Sequence, residues 1–268
     1  MEIVGEKINT TRQKVEEAVR GRNAAFIQEL ARAQAEAGAH YLEVNSGMPL
    51  YPEEESEDFA WLVPLIQTAA DIPLCIDSAY PLVIETALKL HKGKAMINSI
   101  NGDPYRIESI LPLAKKFDCK VIALTSSRED GIPATSSGRV EIAEKIAKMA
   151  QSHAFPLENI YFDPLVLPLS TNDQNGRVFL ETMREIKKSL SPAKTTSGLS
   201  NISYGLPKRK RVNHIFLALA LWCGMDAAIL DPTDKEIMAM LPVAELISGR
   251  DADCMDYLTA YRKGKLNY

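Results

Sequence analysis

The sequence is sparing in the features that mark specialised classes of protein. It has four cysteines in 268 residues (Cys75, Cys119, Cys223 and Cys254), with no C-x-x-C pair and no histidine at ligand spacing. That scatter speaks against a disulfide framework and against a structural zinc site, so no metal is expected. Apolar neighbours around three of the four predict reduced, buried thiols. Aromatic residues make up only 7% of the chain, and 31 Lys and Arg against 35 Asp and Glu leave a net charge of −4. A chain without excess positive charge is not a general binder of nucleic acid. Long hydrophobic runs are also missing. The longest, Ile215 to Met225, falls well short of the ~20 residues that cross a bilayer. The opening Met-Glu-Ile-Val-Gly-Glu lacks the basic and apolar regions of a signal peptide, and neither end carries a lipidation motif. A cytoplasmic location, with no membrane partner, is therefore expected. No low-complexity linker or shift in composition marks a boundary, and one domain over 1–268 is expected.

What is present is a regular alternation. Hydrophobic residues are 46% of the chain, ample for a globule of this size to bury roughly 70–75% of its unfolded surface. Short apolar runs around Ile3, Tyr41, Leu74, Ala95, Val121, Ile160, Thr196 and Ala227 predict strands. Between them, helical spacing predicts helices near residues 26–37, 58–70, 81–91, 106–117, 140–153, 177–190 and 213–224. A last helix is expected to start near Thr233, where Thr-Asp-Lys-Glu reads as a capping box. One strand–helix unit per ~30 residues implies parallel strands joined by helical crossovers, and runs such as Val121-Ile-Ala-Leu124 suit strands covered on both faces. The fold class predicted is α/β, a single-domain (β/α)8 TIM barrel with its site at the C-terminal ends of the strands. The rival is a doubly wound open sheet, which loses ground because no G-x-G-x-x-G follows the first strand and no phosphate-binding loop occurs.

The strand ends are where a barrel keeps its chemistry. In order they read Gly5-Glu6-Lys7-Ile8-Asn9, Glu43-Val44-Asn45-Ser46-Gly47, Ile76-Asp77-Ser78 and Ile97-Asn98-Ser99-Ile100-Asn101. The remaining four are Leu124-Thr125, Phe162-Asp163-Pro164, Gly198-Leu199-Ser200-Asn201 and Leu230-Asp231-Pro232. Carboxylates and amides recur. A carboxylate accepts two adjacent N–H groups and an amide both donates and accepts, a combination suited to a flat heterocycle with a donor/acceptor edge such as a 2-aminopyrimidinone. His40, His91, His153 and His214 fall at no strand end, so no Ser-His-Asp arrangement is expected and the histidines read as structural. Helix capping explains any single strand-end Asp or Asn, and Asp103-Pro104 and Asp231-Pro232 read as such caps. It does not explain the set Glu6, Asp77, Asn98, Asp163 and Asn201 expected at one mouth.

At these residues the sequence resembles the pterin-binding methyltransferases that work with corrinoid proteins. These include methyltetrahydrofolate:corrinoid protein methyltransferase, related tetrahydrofolate methyltransferases, and the folate domain of cobalamin-dependent methionine synthase. The motifs are Val4-Gly-Glu-Lys-Ile-Asn9, Leu74-Cys-Ile-Asp-Ser78, Ala95-Met-Ile-Asn-Ser99, Ile160-Tyr-Phe-Asp-Pro-Leu165 and Gly198-Leu-Ser-Asn-Ile-Ser203, and they span nearly the whole chain in order. The resemblance implies that Asp77, Asn98 and Asp163 bind the pterin ring, with Glu6 close by. It also implies that Asn201 contacts N5, the atom that carries the methyl group, and that Arg209 helps close the site, with Asn213 and Ser203 in support. Asn201, Asp77 and Asp163 are the expected catalytic residues. An amine anion is a very poor leaving group, so N5 needs a proton or a strong hydrogen bond when it gives up a methyl group. An amide and an ordered water polarised by Asp77 and Asp163 are expected to share that work.

Tetrahydrofolate or 5-methyltetrahydrofolate is then the substrate, with the direction of transfer open. No Asp-x-His-x-x-Gly signature of a corrinoid domain occurs, so cobalamin is expected on a separate corrinoid protein. The loop Thr125–Pro133 and the acidic run Pro52–Asp58 are candidates for tuning that partner, although a solvated surface is the simpler reading of the acidic run. The resemblance further implies a homodimer. Three alternatives stand beside it. A dihydropteroate synthase-like condensing enzyme would need basic residues at the ends of strands seven and eight. A Schiff-base aldolase would rely on Lys7, and a non-catalytic pterin- or corrinoid-binding protein would be free to lose the site.

Overall fold

The predicted apolar runs become the strands of one parallel sheet, for which a computed structural model describes residues 1–47 and 51–267. The strands are β1 (Glu2–Asn9), β2 (Tyr41–Asn45), β3 (Leu74–Asp77), β4 (Met96–Ile100), β5 (Lys120–Leu124), β6 (Ile160–Asp163), β7 (Lys194–Thr195) and β8 (Ala227–Leu230). They lie in the order β7-β6-β5-β4-β3-β2-β1-β8. The two outer strands approach each other through Asp226 N–H to Thr195 O at 3.1 Å and Ile229 N–H to Ser197 O at 2.9 Å. This is the predicted eight-fold barrel.

Around it run α1 (Gln13–Arg20), α2 (Ala24–Glu36), α3 (Pro52–Ala69), α4 (Pro81–Leu90), α5 (Pro104–Lys116), α6 (Ser136–Ser152), α7 (Asn175–Ser189), α8 (Arg209–Trp222), α9 (Lys235–Ile247) and α10 (Met255–Arg262). Alternate strand residues face opposite ways. Leu74, Ile76, Ile97 and Val121 therefore pack outward against the helices, while Cys75, Met96, Ile122 and Tyr161 fill the lumen. The lumen is closed at the N-terminal ends of the strands by a polar floor. There Glu2 accepts from Lys120 Nζ at 2.8 Å and from the Tyr161 hydroxyl at 2.5 Å, and Lys194 donates to the same hydroxyl at 3.0 Å. Among the described residues, no helix is long and apolar enough to cross a membrane.

Several local expectations change. The seventh strand is centred before Thr196, because Thr196 donates to Phe162 on one side while Ser197 accepts from Ile229 on the other, and no regular ladder forms. α3 starts at Pro52 rather than near Asp58, since proline suits the first helical position and Glu53, Glu54 and Glu55 suit the positive end of the helix dipole. Within that acidic run Glu55 is buried rather than solvated. α1 and α10 lie outside the eight repeating units and were not expected. The capping box fails: Asp234, not Thr233, caps α9 by accepting from Glu236 N at 3.1 Å. The two Asp-Pro pairs part company. Asp103 holds the N-cap position of α5 with Pro104 in the first turn, as expected, but its side chain makes no capping bond and accepts instead from Arg128 N, whereas Asp231 precedes a turn rather than a helix.

Candidate active site

The alternation that sends Cys75 and Met96 into the lumen sends Asp77 and Asn98, two residues further on, into its open C-terminal mouth. They are direct neighbours in the ladder, as are Asn45 and Asp77. Asn45 Nδ2 donates to Asp77 Oδ2 at 2.9 Å while its Oδ1 accepts from Gly47 N at 3.0 Å, so the amide locks the carboxylate in place. Beneath them Glu43 is 6% exposed, and its Oε1 accepts from Asn98 Nδ2 at 3.1 Å. Burial pushes the Glu43 carboxyl up to about 8, with the nearby Asp77 and Glu6 adding to the effect. Burial likewise raises Asp77 above its ordinary value. The Asn98–Ser99 peptide bond is cis.

Asp77 and Asn98 open onto a cavity of about 860 Å³ that extends over Ser99, Tyr105 and Arg128. Its wall is held by Arg106, which donates to the carbonyls of Ser99, Ala79 and Ser78 at 2.8, 2.6 and 2.7 Å. One guanidinium thus ties the loop after β3 to the end of β4, and its charge favours the ionised form of Asp77.

Asp163 ends β6 on another side of the mouth. It is 6% exposed, and its Oδ1 accepts from Leu165 N at 2.7 Å. Burial pushes its carboxyl up to about 6, against the Leu165 N–H, the Ser197 hydroxyl and the Arg139 charge, which favour the carboxylate. Arg139 is itself buried and donates to the carbonyls of Pro133, Pro164 and Leu165 at 2.8, 2.7 and 2.8 Å, fixing the segment that follows Asp163. Glu6 is half-buried and paired with Arg12 at 3.0 Å; burial, with Asp231 beside it, holds its carboxyl above the ordinary range.

The loop after β7 forms a short 3₁₀ turn, Leu199–Ser203, that leaves Asn201 exposed. Arg209 braces it, donating to Ser203 Oγ at 3.0 Å and Ser200 O at 2.8 Å. Both bonds go to the loop that carries Asn201, and Arg209 makes no hydrogen bond to Glu6, Asp77, Asn98 or Asp163 among the described residues. Ser203 is the buried hydroxyl that receives it, a backbone-holding role in which it also donates to Ser200 O. Asn213 lies on α8, with a buried Oδ1 that has no partner among the described residues.

Lys7, the aldolase alternative, is held by Asp231 at 3.1 Å and Thr233 at 3.0 Å. Two of the four histidines do structural work: His40 Nδ1 accepts from Ile3 N and His91 Nε2 from Leu74 N. His214, Asp234 and Glu236 offer three donor atoms within 4.8 Å of one another, with Lys210 Nζ already 3.1 Å from Asp234. Buried hydroxyls of Thr10, Ser46, Thr125 and Thr196, each just past a strand end, have no partner among the described residues.

Glu43 and Asn45, though read at the end of the second strand, were left out of the expected site, and Arg106 and Arg139 were missed. The first two carried a signal: an acid inside the apolar run Tyr41-Leu-Glu-Val44 shares its parity with the strand-end Asn45, and both must face inward together.

Comparison with known proteins gives the arrangement its relatives. The family model described as pterin binding enzyme matches residues 5–231. The chain is 36% identical over 268 residues to a methylcorrinoid:tetrahydrofolate methyltransferase of Eubacterium limosum, covering 99% of this chain and 98% of that protein. It is 28% identical over 253 residues to the methionine synthase of Mycobacterium tuberculosis, covering 90% of this chain but 21% of that much longer protein. Among solved structures, a dihydropteroate synthase from C. difficile crystallised in the presence of pteroic acid superposes with a TM-score of 0.70 at 18% identity, over 92% of this chain and 96% of that one. Another, from Stenotrophomonas maltophilia with imidazole in its active site, gives 0.67 at 17% identity, over 94% of this chain and 93% of that one. At that identity the two structures speak for the barrel fold alone. Carboxylates and amides gathered at the mouth of an eight-stranded barrel, and a family match over most of the sequence, make this chain a member of the pterin-binding enzyme family.

Proposed function

We propose that the chain is a methyltransferase that moves a methyl group between the cobalt of a corrinoid and N5 of tetrahydrofolate, running from methylcorrinoid to tetrahydrofolate. The observation that carries this reading is the end-to-end likeness to the Eubacterium limosum protein, whose name states that donor and acceptor. The single unit 1–268 is the methyltransferase domain, and it binds the pterin through Glu6, Asp77, Asn98, Asp163 and Asn201.

The N5 lone pair forms the new bond to carbon as the carbon–cobalt bond breaks and leaves its electron pair on the metal. N5, now with four bonds, gives up its proton to solvent water. Asp77 and Asp163 accept ring N–H groups and hold the ring in register, because buried carboxylates are strong acceptors in a site with little water. Asn201 is exposed and makes no side-chain bond among the described residues, which leaves its amide available to N5. Arg209 acts by holding the loop that presents it.

The corrinoid sits on a separate protein that docks over the mouth. A condensing-enzyme reading finds no support at the strand ends, because Lys194 lies on the opposite floor and Asp231 is paired with Lys7. Homodimerisation through α8 belongs to the same reading: Ile215, Leu219 and Trp222 are 62, 46 and 62% exposed on one face, beside a groove of about 760 Å³ shared with α7. A cytoplasmic location is in keeping with four free cysteines.

The test mixes the protein with methylcob(III)alamin and tetrahydrofolate, and separately with cob(I)alamin and 5-methyltetrahydrofolate, and follows the cobalamin spectrum. Conversion is expected in the first mixture. No change in either, with or without a cognate corrinoid protein, overturns the assignment.

A further inference from the structure

Glu43 is a buried acid inside the barrel that this reaction leaves without a task. It lies one layer below Asp77 and Asn98, in ladder register with Cys75. A carboxyl at such depth is normally paired with a cation, and here none of the described cations bonds to it. Lys7 is engaged by Asp231 and Thr233, Arg12 by Glu6, and Arg106 by three backbone carbonyls. The titratable groups that face it are all acids or thiols: Glu6 from β1, and Cys75 and Asp77 from β3. β4 contributes the Asn98 amide and β1 the Asn9 amide. What the carboxyl does hold is one N–H of Asn98. An amide that donates downward turns its carbonyl oxygen, and its one remaining N–H, toward the mouth.

We propose that Glu43 is a positioning residue for the pterin, fixing the Asn98 amide from below in the orientation that offers its carbonyl oxygen to a ring N–H, and that it does so as a carboxylic acid rather than a carboxylate. As an acid it still accepts from Asn98 through its carbonyl oxygen, and it places no second negative charge beside Asp77, whose own charge is then free for the ligand. Ionisation would set two adjacent carboxylates against each other in a low-dielectric lumen and draw Asp77 toward its protonated form. Burial and the facing acids keep Glu43 protonated up to about 8, so pterin binding weakens as the pH rises past that point. The inference rests on the pterin reading for the identity of the ligand.

The test measures tetrahydrofolate affinity by calorimetry between pH 6.5 and 9.5, anaerobically, for the wild type, Glu43→Ala and Glu43→Gln, with melting temperatures as a check on folding. The wild type is expected to hold a constant affinity to about pH 7.5 and then lose about tenfold per pH unit above about 8, as one ionisation requires. Glu43→Ala, which releases the Asn98 amide, weakens binding about tenfold or more at pH 7, the size of one lost hydrogen bond that fixes geometry. Glu43→Gln, always uncharged and able to accept through its amide oxygen, restores most of that loss and removes the alkaline decline. A purely structural Glu43 would change the melting temperature and leave the pH profile as it is. An alkaline decline shared by the wild type and Glu43→Gln, or no rescue by a folded Glu43→Gln, overturns the proposal. A folded wild type that binds no tetrahydrofolate at any pH overturns instead the pterin reading beneath it.

Discussion

At Asp163 two physical effects oppose each other. Burial favours the neutral acid, whereas the Leu165 N–H and the Arg139 charge favour the carboxylate, and the balance settles at about 6. A group whose folded pKa is raised keeps its proton to a higher pH than in the unfolded chain, so Asp163 is ionised at neutral pH and protonates as the pH falls through about 6. It then loses acceptor capacity toward the ring, and pterin affinity is expected to fall below that pH. A titration of affinity against pH that runs flat from 7 to 5 would contradict this. Asp77 and Asn201 separate by role. Asp77→Ala is expected to abolish measurable pterin binding, and a normal calorimetric titration of that variant would refute it. Asn201→Ala is expected to lower methyl transfer by ~10²-fold with a smaller loss of binding, as for a contact strongest in the transition state; equal losses in both would rule that role out. Asp77, Asn98 and Asp163 were legible because each closes an apolar run, whereas Asn201, which follows the polar stretch Lys194-Thr-Thr-Ser197, was singled out by the family resemblance of its Gly198-Leu-Ser-Asn201 motif. Glu43 was legible only in part: its parity ties it to the strand-end Asn45, but a period-two run with one charge in its middle looks in sequence like any half-exposed strand, and only barrel closure makes its face a lumen.

At the scale of elements, the site depends on two arginines, Arg106 and Arg139, whose hydrogen bonds go to backbone carbonyls. Arg139 rises from α6 to donate three hydrogen bonds, two of them to the residues following Asp163. Arg139→Met keeps much of the volume but leaves three carbonyls unpaired, one of them deeply buried, and is expected to cost on the order of 3 kcal/mol, or roughly 6–12 °C in melting temperature. Because the Arg139 charge also holds the Asp163 carboxyl down, the same variant should move the acid limb of binding to higher pH. An unchanged limb would mean that Arg139 serves the fold alone. Neither arginine was legible, since their partners are backbone carbonyls, which no side-chain pattern reveals. The end of β8 carries the same lesson. Asp231 followed by proline reads as a cap, yet its carboxylate takes Thr233 N–H at 2.9 Å and Lys7 Nζ at 3.1 Å across the mouth, because the first strand comes to lie beside the eighth only when the barrel closes.

For the whole molecule, eight apolar runs at near-regular spacing were enough to predict the barrel, because parallel strands buried on both faces admit little polar interruption. The outer face of α8 is a different matter. Three large apolar side chains stand free on it, and a helix face of that kind is read from exposure, which the sequence does not record. If it joins two copies of the chain, Trp222→Glu is expected to halve the mass seen in light scattering without lowering pterin affinity. A wild type that is monomeric at micromolar concentration would remove α8 from consideration as an interface.

The barrel is also unequally stitched. β7 contributes two residues to its ladder with β6, and only scattered bonds cross to β8, whereas β2 to β5 are paired along most of their lengths. Cooperative opening begins where fewest bonds must break, so the molecule has a seam, and the segment beyond that seam carries Asn201. Warming should therefore unfasten the reacting amide before the remaining staves separate, and an enzyme of this build would lose its turnover while most of its fold still stands.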